Sequence, residues 1–259
     1  MEIKKAPLID EFSTIKHKDI YYVGDLSLLK SRKVSIVGTR KPISYTKEMV
    51  FRLSNSLSKV GVSVVSGGAM GVDIIALDAS LPNCISVMPC SLDLIYPKVN
   101  ENKIKKIYEN ALAISEYEAT FRATKWSFVQ RNRLVTLLGE VLIIAEADLN
   151  SGSMRSFEWA KKYNRDVYVL AHRLGQSEGT NYLLKNNLAK AIYDIDEFID
   201  SLNIEKTESK KESLEDDDII EFCLKNSNYE DALVKFGDKI FEYELYGKIA
   251  IENNFIRVL

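Results

Sequence analysis

Five short runs of aliphatic and β-branched residues constrain this chain more than any other feature. They are KVSIVG (Lys33 to Gly38), VSVVS (Val62 to Ser66), CISVM (Cys84 to Met88), VLIIA (Val141 to Ala145) and VYVLA (Val167 to Ala171). A strand with one wet face alternates apolar and polar residues, whereas a strand covered on both faces does not need to, and these runs lack polar alternation. Between them lie stretches with apolar residues at helical spacing, such as Tyr45 to Gly61 and Ser153 to Arg165, which end in Gly or basic residues as helix C-termini do. Strand and helix in alternation predict an α/β fold, a Rossmann-like, doubly wound and mostly parallel sheet covered by helices on both sides.

That domain is expected to occupy residues 1–202, with a short N-terminal extension over 1–32. After it, residues 203–216 are charged and almost without large apolar side chains, which predicts a linker. In 217–259, IIEFCLKN, YEDALVKF and DKIFEYELYG read as three short amphipathic helices. KIAIENNFIRVL then reads as two strands about an Asn253-Asn254 turn. Three helices and a hairpin predict a small winged-helix module.

Charge is unevenly shared. The formal net charge is −2, but the segment from Glu215 onward holds eleven acidic and five basic residues, a net of −6 that leaves about +4 on the rest. Phosphate would be repelled along the whole C-terminal module, so that module is expected to bind protein rather than a DNA groove. No stretch is apolar for long enough to span a bilayer, and the first residues have no apolar signal core, so a cytoplasmic protein is expected. Three cysteines without CxxC spacing argue against a disulfide framework or a zinc ribbon, and two isolated histidines argue against metal or triad chemistry.

The expected chemistry lies where strands end. Gly38, Thr39 and Arg40 follow the first strand, at the carboxyl edge where open α/β sheets bind ligands. Arg40 can grip a phosphate with two parallel N–H donors, or serve in a surface ion pair. The run SGGAMGVD from Ser66 to Asp73 opens a helix, and the paired Gly67 and Gly68 let backbone amides approach an anion. Ser151, Gly152 and Ser153 repeat this arrangement after a later strand, either as a second anion site or as a simple helix cap. Between Phe121 and Arg133 stand Arg122, Lys125, Arg131 and Arg133 with three aromatics and no acid. Cations neutralise phosphate and aromatic faces stack bases, the combination a single-strand binder needs. Within this run Trp126 is expected in the core, and Lys125 and Phe128 are expected to face a ligand. Asn132 is expected inside, bonding backbone groups.

These motifs, in this order, resemble those of the DNA-processing protein A (DprA/Smf) family. YYVGDLSLLKSRKVSIVGTR is similar to the family's approach to its first strand, SGGAMGVD to its SGxAxGxD loop, and CSLDLIYP to its GLDxxYP segment. Ser115-Glu116 matches its SExP site, RNRLVTLLG its RNRxIAxLS helix, and ADLNSGSMRS and GTNYLL follow in place. The likeness covers about Asp19 to Leu202, and the C-terminal segment resembles the winged helix that closes many members. It departs at Phe-Val-Gln before the RNR run, where Phe-Pro is common, and at Met70, where a basic residue often stands. The resemblance implies a non-enzymatic protein of natural transformation that coats incoming single-stranded DNA, forms a homodimer and helps load the RecA recombinase. Carried over by position, Arg40, Ser66, Gly67, Gly68, Lys125, Phe128, Arg131 and Arg133 form the binding pocket, and no cofactor or metal is implied.

Two other readings start from the same loops. A Rossmann-like hydrolase of nucleoside monophosphates, of the lysine-decarboxylase-like group, carries PGGxGTxxE where this chain has DLNSGSMRSFE. It would need a positioned carboxylate base, and no convergent pair is visible near Glu158. A nucleotide sensor without catalysis would need only the amide nests, and would prefer mononucleotides to oligonucleotides.

Overall fold

In the strand Val141–Ile144 every residue is buried, yet its side chains leave in alternate directions. Val141 and Ile143 join one apolar cluster, and Leu142 and Ile144 join another. This is the period-two geometry of a strand wedged between two helical layers. The computed structural model describes residues 2–13, 15, 17–203, 218–237, 239–252 and 254–258, which fall in two compact units, Met1–Glu205 and Lys206–Leu259. Of the predicted linker over 203–216, all but Asn203 lies outside the described residues.

The first unit is a nine-stranded sheet. In chain order it runs β1 (Lys4–Lys5), β2 (Tyr21–Gly24), β3 (Lys33–Val37), α1 (Ser44–Lys59), β4 (Ser63–Ser66), α2 (Val72–Ala79), β5 (Cys84–Val87), α3 (Glu101–Asn110) and β6 (Leu112–Ser115). It continues with α4 (Lys125–Leu138), β7 (Val141–Ile144), α5 (Gly152–Lys162), β8 (Asp166–Leu170), α6 (Glu178–Lys185), β9 (Lys190–Ile192) and α7 (Ile195–Ser201). The spatial order is β1-β2-β6-β5-β4-β3-β7-β8-β9; the seven strands from β3 onward are parallel, and β1 and β2 add an antiparallel edge. The sheet is therefore the mostly parallel, Rossmann-like one that the five apolar runs predict.

Helices α4 and α5 pack on one face of the sheet with Phe12, and α1 packs on the other around Val50, Leu53 and Leu57. β3 pairs with β4 on one side and β7 on the other, so the loops leaving β3 and β7 diverge at the topological switch point. No described helix is long and apolar enough to cross a membrane.

The second unit holds α8 (Asp218–Lys225), α9 (Tyr229–Phe236), α10 (Lys239–Leu245) and the antiparallel pair β10 (Ile249–Glu252) and β11 (Phe255–Val258). Its own core joins Ile220, Cys223, Ala232, Ile240, Ile249 and Ile256.

Candidate nucleic-acid interface

The loop after β3 is clipped on both sides. Thr39 donates its N–H to the Glu146 carbonyl at 2.8 Å, and its carbonyl accepts from the Val72 N–H at 3.1 Å. This fixes the backbone from which Arg40 projects into solvent. The glycine turn packs directly beneath it, because a Cβ on Gly71, whose φ is +79°, would overlap the Thr39 carbonyl and the Arg40 backbone. Only a residue without a side chain permits that approach.

Ser66 stands at the end of β4, but its side chain does not face a ligand. It is buried, and its hydroxyl donates to the Ile36 carbonyl at 2.6 Å, tying β4 to β3. Gly67 is buried against Arg131, whose guanidinium would overlap any Cβ placed there, and Gly68 takes φ +67°.

Helix α4 opens at this edge. Thr124 caps it reciprocally: its hydroxyl accepts from the Ser127 N–H at 3.1 Å, and the Ser127 hydroxyl accepts from the Thr124 N–H at 2.9 Å. Lys125, the first helical residue, is exposed. One turn on, half-buried Phe128 carries the Arg40 guanidinium over its ring, 5.2 Å from the centroid, and Tyr96 meets its edge at 5.7 Å. Arg40, the glycine turn and Phe128 thus converge, with Lys125 one turn before Phe128 on the same side of the helix.

Two of the expected cations turn inward. Arg131 is buried with Asp73 at 3.4 Å, and the Asp73 carboxyl also lies near the backbone N–H groups of Gly67 and Ala69. Burial pushes the Asp73 carboxyl above the ordinary carboxylate range, with Arg131 opposing it. Arg133 is buried in a two-pronged bond to Glu116, at 2.6 and 2.7 Å, and donates also to the Gln130 carbonyl. Their charge is neutralised inside the protein, where it supports the loops instead of facing a phosphate. The signal was in the spacing: Arg131, Leu134, Val135 and Leu138 share one buried helical face.

Trp126 departs from expectation in the opposite direction. It is 58% exposed rather than part of the core. Asn132 is half-buried and donates to the Gly152 carbonyl at 3.5 Å, a backbone bond linking α4 to the start of α5. There Ser151 acts as the helix cap, accepting from the Met154 N–H at 3.4 Å. Ser153 is buried, and Gly152 is open to solvent. Sequence reasoning did not pick out Tyr96, although the Tyr-Pro pair in the loop after β5 marked its position.

Fold and rim define a Rossmann-like α/β protein whose sheet edge presents exposed cations and an aromatic ring beside a glycine turn. The chain belongs to the DNA recombination-mediator protein A family, whose model matches residues 12–203. Protein Smf of Synechocystis is 32% identical over 191 residues, 71% of this chain and 48% of that protein. DNA processing protein DprA of Streptococcus pneumoniae is 34% identical over 171 residues, 64% of this chain and 60% of that one. The chain thus spans about half the length of the curated relatives it matches. Among solved structures, one giving insight into the single-stranded DNA binding mode of DNA processing protein A from Helicobacter pylori is 45% identical. It superposes with a TM-score of 0.76 over 78% of this chain and 96% of that one.

Proposed function

We propose that this protein binds single-stranded DNA along the carboxyl edge of its sheet. The observation that carries the reading is the Arg40 guanidinium lying over Phe128, with Lys125 one helical turn away on the same side. A phosphate takes the two exposed cations and those amides of the glycine turn that do not face Asp73, while an unstacked base covers the ring. Ser66, Arg131 and Arg133 act beneath this surface by holding its loops, and Gly67 and Gly68 supply the close backbone. The open Gly152 backbone beside capped Ser151 and buried Ser153 is a further phosphate contact in this reading. No catalytic step is assigned.

The H. pylori relative's single-strand binding mode supports this assignment. On the same reading the protein coats incoming strands in the cytoplasm during natural transformation, works as a homodimer and hands the strand to the RecA recombinase. The unit over 217–259 is a winged helix that binds protein. The domain boundaries at 202 and 217 belong to the same proposal.

The test is fluorescence anisotropy with oligo-dT and with duplex of equal length, at two salt concentrations. Single strand is expected to bind well and duplex poorly, since a paired base cannot reach Phe128. With two phosphate-facing cations, the slope of log affinity against log salt is expected near −1.4, at about 0.7 per contact. Lys125→Ala removes about half of that slope, and Phe128→Ala weakens binding with the slope unchanged. Equal binding of both DNA forms would falsify the assignment, and tighter binding of mononucleotide would move it to nucleotide sensing.

A further inference from the structure

Next to the rim described above, at the carboxyl end of β6, lies a cavity of about 820 Å³. Its lining includes Lys18, Glu116, Tyr117, Phe121 and Arg122. Tyr117 and Phe121 stack face to face, with centroids 4.1 Å apart and planes 8° from parallel. Lys18 approaches the Tyr117 ring at 5.8 Å.

The charges here divide clearly. Two carboxylates at the cavity are neutralised, Glu116 by Arg133 and Asp19 by Lys5 at 2.7 Å, whereas Glu118 accepts from the neutral Tyr21 hydroxyl at 3.2 Å and keeps its charge, so Lys18 and Arg122 outweigh it by one. Lys18 and Arg122 are exposed, and neither forms an ion pair among the described residues. Two unneutralised cations flanking stacked aromatics repeat the composition of the Arg40, Lys125 and Phe128 surface.

The two places are also continuous. The Tyr117 hydroxyl lies near the side chain of Ser127, in the first turn of α4. Arg122 and Lys125 are three positions apart, at most about 10 Å of chain. Trp126 stands seven residues before Arg133, on the same helical face, and it is that face whose Arg133 reaches Glu116 at the cavity wall. The first turn of α4 therefore offers Phe128 and Lys125 to one side and exposed Trp126 to the other.

From this continuity we infer that the bound single strand extends beyond Phe128 into a second subsite. Its phosphates pair with Lys18 and Arg122, and a base stacks on Trp126. The inference rests on the single-strand reading above, so the test carries a control for that reading.

Affinity and salt slope are measured for oligo-dT of about 6 and about 20 nucleotides, lengths chosen around the usual reach of one single-strand site of roughly 4–16. The Lys18→Ala, Arg122→Ala double variant is expected to leave the short oligonucleotide unchanged. For the long one it is expected to weaken binding about tenfold or more near 0.1 M salt and flatten the slope by about 1.4. Trp126→Ala is expected to weaken the long oligonucleotide alone, with no change in slope. An unaltered long-strand affinity and slope in the double variant overturns the second subsite, and so does an equal loss at both lengths. Arg40→Ala, run alongside, must weaken both lengths; if it does not, the primary reading fails instead.

Discussion

Arg40 and Arg131 carry the same guanidinium and flank the same ring, at 5.2 and 6.0 Å from the Phe128 centroid, yet burial gives them opposite work. Arg40 is exposed and can meet a phosphate, whereas Arg131 is 3% exposed and balances Asp73 beneath the glycine turn. Removing Arg131 strands a buried carboxylate, so Arg131→Ala is expected to cost on the order of 3–5 kcal/mol in denaturant unfolding. Arg40→Ala should lie within about 0.5 kcal/mol of the parent, as surface changes do, while losing affinity for single strands. A reversed ranking would mean that the two roles had been exchanged. The thiols obey the same physics: burial pushes Cys84 up to about 12 and Cys90 up to about 11. Both are expected to resist a thiol-specific reagent at neutral pH until the protein is unfolded, since the thiolate is the reactive form.

At the scale of elements, α4 depends on its first turn. The run Thr124-Lys125-Trp126-Ser127 places a hydroxyl at both ends of a reciprocal cap, and Lys125, Trp126 and Phe128 stand on the turn so fixed. Thr124→Ala is expected to cost about 1 kcal/mol and to weaken single-strand binding with it, while Thr124→Ser should keep both, as thermal unfolding and anisotropy would show. The five apolar runs placed β3, β4, β5, β7 and β8 to within a residue at each end, because a doubly covered strand admits few polar side chains beyond small ones bonded to backbone, as Ser35 and Ser66 are. β6 was harder to see, since Leu112–Ser115 follows α3 with no glycine or proline to mark the change. β2 and β9 are short strands toward the sheet edges, with only Val23 and Ile192 buried, and so lack the apolar signature. In the site, Arg40, Lys125 and Phe128 could be read from residue type and position. The helical spacing of Arg131 with Leu134, Val135 and Leu138 hinted at its inward turn, but its partner Asp73, 58 residues away, and the turn of Arg133 toward Glu116, 17 residues away, could not be read.

On the scale of the molecule, the overall acidity conceals a basic sheet unit. Residues 1–205 hold 27 Lys and Arg against 24 Asp and Glu, a net of +3, and residues 206–259 hold 8 against 13, a net of −5. Every cation assigned to the strand lies in the first unit, which has its own packed core. A chain ending at residue 205 is therefore expected to retain oligo-dT binding, since no phosphate contact is lost, with a salt slope only slightly steeper than that of the full chain. Removing five net negative charges also relieves long-range repulsion of phosphate. The truncated chain should bind a few-fold more tightly at about 0.01 M salt, where the screening length is roughly 30 Å, and the gain should vanish near 1 M, where it is about 3 Å. Loss of binding on truncation, at a salt where the full chain binds, would place essential contacts in the second unit and remove the sheet edge from its assigned role.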